Sequence, residues 1–291
     1  MALPMIDPLM TPQVCDNIDS QLADFVAQHP NLMVLTGAGC STASGLGDYR
    51  DKAGQWKRKQ PITGQQFISN EAARKRYWAR SSVGWPSFSN AQPGASHTAL
   101  RTLEQLGHIH LLVTQNVDLL HQKAGHENCI DLHGVLASVS CIDCAHQMHR
   151  DDFQIELIAH NEWLTQLTAA HAPDGDADLE TEGLENMHVP ACPQCAGLLK
   201  PDVVFFGETV PKDIVAKAMQ AVAHSDALLV AGSSLMVYSG FRFCREARRL
   251  DKPIAIVNDG VTRADELAAL KIEGDCGERL SRLANSVRAA Y

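Results

Sequence analysis

The sequence contains no long apolar run and few aromatic residues. Of its 291 residues, 45% are hydrophobic and only 5% are aromatic. No apolar stretch approaches the roughly 18 residues that a membrane-spanning helix requires. This composition is typical of a globular protein. It argues against the membrane-protein classes, so we expect no membrane partner.

Positive charge is also scarce. The 25 Lys and Arg residues are outnumbered by 34 Asp and Glu residues, which gives a formal net charge of -9. A protein that binds nucleic acid through its phosphates needs a basic face, and we therefore expect no direct nucleic-acid partner. The first basic residue is Arg50, so the start of the chain lacks the basic segment of secretory and mitochondrial targeting peptides. We expect a bacterial cytoplasmic protein.

Internal repeats and heptads are absent, and short apolar runs alternate with amphipathic stretches. The runs predicted as strands are 32–36, 109–113, 203–206, 227–231 and 254–257. The stretches predicted as helices are 97–106, 212–223 and 238–250, after a first helix that begins at Thr11 and Pro12 and ends before His29. Strands that alternate with helices predict an α/β fold with a parallel sheet.

Two segments interrupt this alternation. The first is 51–94, which is rich in Arg, Gln and Trp, and the second is 141–195, which includes an acidic polar stretch at 172–180. Because neither segment follows the strand and helix pattern, both are predicted to be insertions that build a smaller second module.

Four of the nine cysteines form two Cys-x-x-Cys pairs. These are Cys141 with Cys144 and Cys192 with Cys195. In a reducing compartment such pairs indicate metal ligation before disulfides, and four thiolates suit tetrahedral Zn²⁺ with no position left for water. The alternative is a redox role, but neither pair stands at the start of a helix in a strand–helix unit. We predict one structural zinc ion.

A glycine turn follows the first predicted strand. Gly37 and Gly39 lack the side chains that would keep a backbone away from a pyrophosphate. The full dinucleotide-binding fingerprint would place a third glycine at position 42, where this chain has Thr42. An ordinary dehydrogenase is therefore disfavoured, and a plain turn stays open as an alternative.

Polar residues follow the second predicted strand. They are Gln115, Asn116 and Asp118, and His133 lies further along the chain between Leu and Gly. Polar groups at strand ends face the crevice in which α/β proteins bind ligands. Taken alone, a histidine in the context of His133 is more often structural than catalytic.

Taken together, these motifs resemble the sirtuin family. The matching blocks, in the order of the family, are 37–50, 114–118, 132–134, the four cysteines, 200–208, 232–234 and Asn258. The resemblance covers residues 32–280. The segments 76–80 and 83–86 are similar to class II sirtuins in particular.

The resemblance implies a Rossmann-like large domain that binds NAD and an inserted small domain with a helical module and a zinc-binding module. The large domain would comprise 1–50, 95–137 and 200–291, and the small domain 51–94 and 138–199. By similarity, the NAD-binding residues are Gly37, Ala38, Gly39, Asp48, Tyr49, Arg50, Gln115, Asn116, Val117, Asp118, Gly232, Ser233, Ser234, Asn258, Asp259, Gly260 and Cys276.

The resemblance also implies a protein-lysine deacylase that consumes NAD as a co-substrate. His133 and Asn116 would be the catalytic residues, with His133 as a general base that titrates near neutral pH. The residues along which acyl-lysine proteins or peptides would bind as an added strand are Val203, Val204, Phe205, Phe206 and Gly207. The products would be nicotinamide, free lysine and 2′-O-acyl-ADP-ribose, and we expect a monomer.

Two alternatives stay open beside deacylation. Mono-ADP-ribosyl transfer to protein would use the same NAD site with a different nucleophile, although the Leu-His-Gly motif at 132–134 favours deacylation because transfer has less need of the base. A non-catalytic NAD sensor or zinc-ribbon adaptor would be expected to lack His133 or Asn116, and both are present.

The acyl group is suggested by one further pair. Tyr77 and Arg80 resemble the Tyr-x-x-Arg pair with which class III sirtuins hold carboxylate-ended acyl chains, and a helix would place both on one face. The hypothesis is a preference for bulky or acidic acyl-lysines over acetyl-lysine. The alternative is that Tyr77 packs in the core while Arg80 is solvated or paired with an acid.

Gly47 departs from the family, most members of which have proline at this position. Glycine frees the backbone of a loop that must close on the cofactor. We therefore expect Gly47→Pro to lower the Michaelis constant for NAD by about two- to fivefold, the range that follows from the usual effect of such substitutions on chain entropy. Steady-state kinetics with varied NAD test this, and an unchanged or raised Michaelis constant would contradict it.

Overall fold

The computed structural model describes residues 12–58, 60–168, 173, 175–177 and 183–290, which fold around two β-sheets. The strands are β1 (Leu32–Thr36), β2 (Ile109–Thr114), β3 (Cys129–Asp131), β4 (Gly134–Cys141), β5 (Gln147–His149), β6 (Leu199–Val203), β7 (Ala227–Ala231), β8 (Ile254–Val257) and β9 (Leu270–Ile272). The α-helices are α1 (Pro12–Gln28), α2 (Gly64–Ser69), α3 (Glu71–Asn90), α4 (Ala95–Gln105), α5 (Leu120–Lys123), α6 (Arg150–Ala159), α7 (Lys212–His224), α8 (Tyr238–Arg249) and α9 (Cys276–Ala289). Thr11 and most of the predicted acidic stretch, namely 172, 174 and 178–180, lie outside the described residues.

The larger sheet has six parallel strands in the order β3-β2-β1-β7-β8-β9. From β1 the chain adds β2 and β3 on one side and then returns to add β7, β8 and β9 on the other. The strand order therefore reverses between β1 and β7. In open α/β sheets the crevice at the carboxyl ends of two such strands is where ligands bind. The predicted α/β class with a Rossmann-like parallel sheet is confirmed.

Helices cover both faces of this sheet, which is why its central strands are apolar throughout instead of alternating. All five residues of β1 and all five of β7 are buried. Val34 packs in one core with Leu103 of α4 and Leu283 of α9. Leu35, the next residue, points to the opposite face and packs with Phe243 of α8. No helix in the described part of the chain is long and apolar enough to cross a membrane.

The smaller sheet corrects one prediction. The sequence predicts a strand at 203–206 in the parallel sheet, and this is wrong. The strand is β6, Leu199–Val203, which pairs antiparallel with β4 in a sheet of order β5-β4-β6. Two charged residues and a proline, Lys200, Pro201 and Asp202, interrupt its apolar pattern, so the sequence signal begins too late. The strands β3 and β9 have three residues each, too few to give a periodic signal.

The two insertions share one hydrophobic core. Phe67 of α2 and Trp78 of α3 come from the first insertion, and Phe153 of α6 comes from the second; all three side chains are fully buried in one cluster. The insertions therefore pack as one module beside the larger sheet. The sequence-based domain boundaries at 137/138 and 199/200 fall inside β4 and β6, and the division into domains stays a prediction.

The four predicted zinc ligands come together in this module. The Sγ atoms of Cys141, Cys144, Cys192 and Cys195 all lie within 4.8 Å of one another. Opposed pairs are 3.5 Å (Cys141–Cys195) and 3.6 Å (Cys144–Cys192) apart. Tetrahedral Zn²⁺ with Zn–S of about 2.3 Å requires S···S distances of about 3.8 Å, so the cluster fits a structural zinc ion.

Each Cys-x-x-Cys pair is shaped by its own backbone. The residue after each pair, Ala145 or Ala196, has a left-handed conformation with φ of 60° and 59°. Its N–H donates back to the carbonyl of Cys141 at 3.1 Å or of Cys192 at 2.8 Å. The two turns thus hold their thiols ready for a metal before the module closes.

We expect metal removal to unfold the small module selectively. Chelation or Cys144→Ser should release one equivalent of zinc and lower the Tm by roughly 5–10 °C, as a loss of a few kcal/mol does in a chain of this size. Mass spectrometry under native conditions, calorimetry and amide exchange measure this. Cys129→Ser, in β3 of the larger sheet, is the matched control and should keep the metal; equal amide exchange in both modules after chelation would contradict the prediction.

Candidate active site

A cavity of about 1250 Å³ lies between the carboxyl end of the larger sheet and the small module. Its walls come from the turn after β1, the segment after β2, the segment after β6, and the loop from β7 into α8. Most of the predicted NAD-binding and substrate-binding residues line it. Asp118 and Gly260 stand behind the wall.

The glycines of the turn after β1 pack against the loop after β7. The N–H of Gly39 donates to the carbonyl of Gly232 at 2.8 Å. A Cβ on Gly37 would lie 2.8 Å from the Cβ of Ser233, and a Cβ on Gly39 would lie 2.9 Å from the Cα of Gly232. The sequence motif was interpreted as room for a pyrophosphate. On the side where a Cβ would stand the space is filled by the loop after β7, so the glycines let the two loops meet where the strand order reverses, while both glycines still line the cavity.

The segment after β2 forms the back wall through a hydrogen-bond network. Asn116 Nδ2 donates to the carbonyl of Gly37 at 3.1 Å and to Ser41 Oγ at 3.0 Å. Ser41 Oγ in turn donates to Asp118 Oδ2 at 2.7 Å. The amide of Asn116 therefore has one orientation, with its nitrogen bound to protein and its oxygen left for the cavity. Asn116 and Asp118 are only 7% and 8% exposed.

Three histidines that the sequence did not single out lie behind this network. The ring of His121 contacts the rings of His97 and His126 edge-on, at centroid distances of 4.8 Å and 5.1 Å, and His97 Nε2 is 3.4 Å from Ser41 Oγ. Burial lowers the pKa of all three. They are therefore uncharged near neutral pH.

His133 lies where three walls meet, just before β4. Its Nδ1 is 2.8 Å from the carbonyl oxygen of Gln115, and since a carbonyl only accepts, Nδ1 carries the proton. Its Nε2 then has a lone pair, which accepts from Ser239 Oγ at 2.8 Å. Burial lowers the pKa of His133 below its ordinary value, and the charge of Arg242 lowers it further, while the bond to Gln115 opposes both. The neutral imidazole is thus held in the tautomer that a base needs.

Ser239 is a site residue that sequence reasoning missed. It belongs to the first turn of α8, and its hydroxyl fixes the side of the His133 ring that faces the cavity. Arg242 follows one turn later and also lines the cavity. Both lie just beyond the recognised Gly-Ser-Ser block at 232–234, in a stretch that gave only a helical signal.

The predicted peptide-binding segment follows the edge strand β6. Val204 donates its N–H to the carbonyl of His133 at 2.8 Å, and the carbonyl of Phe206 accepts from the N–H of Gly64 at 3.0 Å. Phe205 stacks on Phe67 with ring centroids 5.1 Å apart. The segment is therefore fixed by both modules, and it touches the backbone of the histidine directly.

The remaining predicted NAD-binding residues belong to two loops that hold each other. Lys52 pairs with Asp259 at 2.9 Å, and a Cβ on Gly260 would meet the Lys52 carbonyl at 2.5 Å. Arg50 lies over the ring of Trp56 at 4.0 Å. Asp48 pairs with Lys57, and Tyr49 contacts Trp56 and Phe206 edge-on, each at 6.1 Å. The loop after β1 is thereby tied to the end of β8.

Gly47 lies in the loop after β1, and Cys276 is the first residue of α9. Among the described residues, the atoms nearest to a Cβ on Gly47 would be those of Pro173, at 3.7 Å, which is ordinary van der Waals contact. Cys276, at the start of α9, lies with its Sγ 3.6 Å from Cys40 Sγ. Asn258, which follows β8 and lines the cavity, donates from Nδ2 to the carbonyl of Gly260 at 3.1 Å.

Tyr77 and Arg80 line the cavity, but both are engaged. The Tyr77 ring packs edge-on against Phe67 at 5.3 Å and Phe205 at 5.2 Å. Arg80 forms a two-pronged ion pair with Asp176, with Nε–Oδ1 of 2.9 Å and Nη2–Oδ2 of 2.8 Å. Asp176 comes close because Gly84, one turn later in α3, leaves room for the backbone at 175, whose carbonyl a Cβ would meet at 2.3 Å.

Comparison with known families gives one clear match. The model of the Sir2 family matches residues 37–239. This range begins at the glycine turn after β1 and ends at Ser239, so it includes His133, the cysteine cluster and every cavity wall except the one formed by the end of β8 and the start of α9.

Similar proteins have been named for their activity. An "NAD-dependent protein deacetylase" of Xanthomonas campestris pv. campestris is 55% identical over 90% of this chain and 89% of its own length. The "NAD-dependent protein deacylase Sirt4" of Drosophila melanogaster is 44% identical over 95% of this chain and 89% of its own. A solved Sir2 protein, in complex with a deacetylated p53 peptide and 3′-O-acetyl-ADP-ribose, is 29% identical, with a TM-score of 0.75 over 92% of this chain and 97% of its own.

The tautomer of His133 can be measured in the free protein. We expect ¹⁵N NMR to show a proton on Nδ1 and a pKa below the ordinary value. Ser239→Ala should raise this pKa, because the hydroxyl hydrogen bond to Nε2 exists only in the neutral form of the ring. Ser234→Ala, in the same loop but without a bond to the ring, should leave it unchanged. A proton on Nε2, or equal effects of both substitutions, would contradict the assignment.

Proposed function

Because the chain belongs to the Sir2 family, we propose that it is an NAD-dependent protein-lysine deacylase that transfers the acyl group of a modified lysine to ADP-ribose. The names of the two relatives, a deacetylase and a deacylase, support NAD-dependent deacylation in general. The observation that carries the proposal is the state of His133, which lines the cavity, is partly buried and neutral, and has its Nε2 lone pair on the hydroxyl of Ser239, another cavity residue.

In this proposal, each part of the reaction would occupy its own part of the cavity. The positive nicotinamide ring activates its glycosidic bond, so the acyl oxygen of a bound lysine displaces nicotinamide at C1′ if water is excluded. The Asn116 amide oxygen and the buried wall behind it would hold the nicotinamide side of NAD. The loops that meet at Gly39 and Gly232 would hold the phosphates and the adenosine.

His133 would then act as the general base. Its Nε2 would accept the proton of the ribose 2′-hydroxyl as the 2′-oxygen attacks the acyl carbon, and would return that proton to the lysine nitrogen as the lysine leaves. Between these two transfers the imidazolium keeps its Nδ1 proton on the Gln115 carbonyl. One water, admitted after this step, would then supply the 1′-hydroxyl of 2′-O-acyl-ADP-ribose. In the substrate-free protein the Ser239 hydroxyl occupies Nε2, so the ribose hydroxyl must displace it. Ser239 therefore holds the ring in place until NAD arrives.

The protein substrate would bind beside the base. β6 is an edge strand of its sheet, so an extended peptide can add to this edge and to the segment that follows it. The N–H of Val204 and the carbonyl of Phe206 are already used within the protein, which leaves a short stretch for pairing. Backbone pairing of this kind places the lysine and leaves the flanking sequence largely free.

The sequence hypothesis of a preference for bulky or acidic acyl groups rests on Tyr77 and Arg80. Tyr77 and Phe205, whose rings contact each other edge-on at 5.2 Å, both line the cavity, and such an aromatic lining suits an apolar chain longer than acetyl. Arg80 was the proposed partner of an acidic acyl group, but it already binds both carboxylate oxygens of Asp176. A carboxylate at Arg80 would have to displace an ion pair that is only partly exposed.

The decisive experiment compares wild type, His133→Ala and His110→Ala on a panel of acyl-lysine peptides with NAD. His110 lies in β2 but is exposed, so its variant is the control. Loss of the base should lower kcat by about 10²- to 10⁴-fold. The wild-type rate should fall only at acidic pH, because the pKa of His133 lies below its ordinary value and only the neutral ring accepts the proton.

Mass spectrometry of the products separates the two uses of the NAD site. Deacylation gives nicotinamide and O-acyl-ADP-ribose, whereas transfer gives ADP-ribosylated protein. Unchanged turnover in His133→Ala would remove the proposed base. A panel in which acetyl-lysine was cleaved fastest would end the bulky-acyl preference but leave deacylation intact.

A further inference from the structure

Arg242 lines the cavity without an acidic partner among the described residues. Its Nε is buried and has no hydrogen bond, and its guanidinium carbon lies 5.4 Å from the ring centroid of Tyr238. An aromatic face offsets only part of a cation's lost hydration. The chain has 34 acidic residues, and none of the described ones lies against this guanidinium.

Arg50 and Arg76 also line the cavity without an ion pair among the described residues, but three other cations of the cavity are each paired with a carboxylate. Lys52 binds Asp259 at 2.9 Å, and Lys57 binds Asp48. Arg80 holds Asp176 with two nitrogen atoms. Their charges are balanced inside the protein, so an incoming anion would have to displace a carboxylate at each of them. At Arg242 there is none to displace.

The position of Arg242 relates it to the reaction. It lies one turn after Ser239 in α8, and the Ser239 hydroxyl binds His133 Nε2 at 2.8 Å. The wall across the cavity is the segment after β6, which contains Val204, bound to the backbone of His133. Arg242 therefore stands on the α8 side of the space in which an acyl-lysine would meet the base.

We propose that Arg242 recognises a carboxylate of the substrate, carried either by the end of the acyl chain or by an acidic side chain of the peptide next to the lysine. A guanidinium presents parallel N–H donors that match the two oxygens of a carboxylate. This inference rests on the proposed deacylase function, and it transfers the acid-recognising role from Arg80 to a residue in α8.

The test uses pairs of peptides that differ only in charge. The first pair carries glutaryl-lysine or its uncharged terminal amide in a neutral peptide. The second carries acetyl-lysine beside glutamate or beside glutamine. For each pair, the ratio of kcat/KM and the ratio of binding affinities are measured with the zinc-loaded, full-length protein.

In wild type we expect the charged member of one pair to be preferred. Arg242→Gln should lower kcat/KM for that member by about 10- to 100-fold, as the loss of a charge-assisted hydrogen-bonded pair does, and should affect its neutral partner far less. Arg242→Lys keeps the positive charge and most of the aliphatic side chain, so it should retain part of the preference. This result would show that the loss in Arg242→Gln is not caused by misfolding. The responding pair tells whether the carboxylate belongs to the acyl chain or to the peptide.

Two matched variants serve as controls. Arg245 is in the same helix and donates to the hydroxyl of Tyr238 at 3.2 Å, but it does not line the cavity, so Arg245→Gln should leave both ratios unchanged. Arg80→Gln should also leave the charge preference intact. If the preference disappears in Arg80→Gln, or survives in Arg242→Gln, the proposal is wrong.

Two other results would also overturn it. One is a wild type without any charge preference in either pair. The other is an Arg242→Gln variant in which the Michaelis constant for NAD rises equally with all substrates, since the guanidinium would then serve the cofactor phosphates. Charge-dependent binding without turnover would contradict the deacylase function alone, whereas turnover without charge dependence would contradict only the role of Arg242.

Discussion

The active site depends on the close approach of two loops at the point where the strand order reverses. Gly39 donates to the carbonyl of Gly232, and neither loop could come so near with a Cβ in between. This contact places Ser233, whose Oγ accepts from Gln115 Nε2 at 2.8 Å. The carbonyl of Gln115 then accepts from His133 Nδ1. A steric constraint between two turns is thus linked, through three consecutive contacts, to the tautomer of a histidine.

The sequence predicted those parts of the molecule whose signals are local. A short stretch of sequence is enough to recognise a Cys-x-x-Cys pair, a buried strand or an amphipathic helix. The zinc cluster, β1, β7 and α8 were predicted from such patterns. β6 was misplaced because two charged residues and a proline interrupt its apolar pattern, while its apolar extension, 203–206, packs irregularly against both modules. No local sequence pattern shows that 199–203 is the strand and that the apolar residues after it are irregular.

Site geometry was less predictable, because it results from contacts between distant segments. Whether Arg80 is available depends on Asp176, and Asp176 reaches it only because Gly84 has no side chain. The role of His133 needed the recognised order of motifs. The bond from Ser239 could not be read from any motif, since it joins the start of α8 to the residue before β4.

The strand β4 connects the catalytic candidate His133 with the cysteine cluster. It begins at Gly134, directly after the histidine, and ends at Cys141, the first metal ligand. With eight residues at about 3.3 Å each, β4 is about 26 Å long. Cys144 and Cys195, beside its Cys141 end, are exposed. An oxidant that attacks these two thiols would therefore free this end of β4 from the metal cluster without entering the cleft. Such damage would resemble the loss of a catalytic group in an assay, although every residue of the cleft would remain chemically intact.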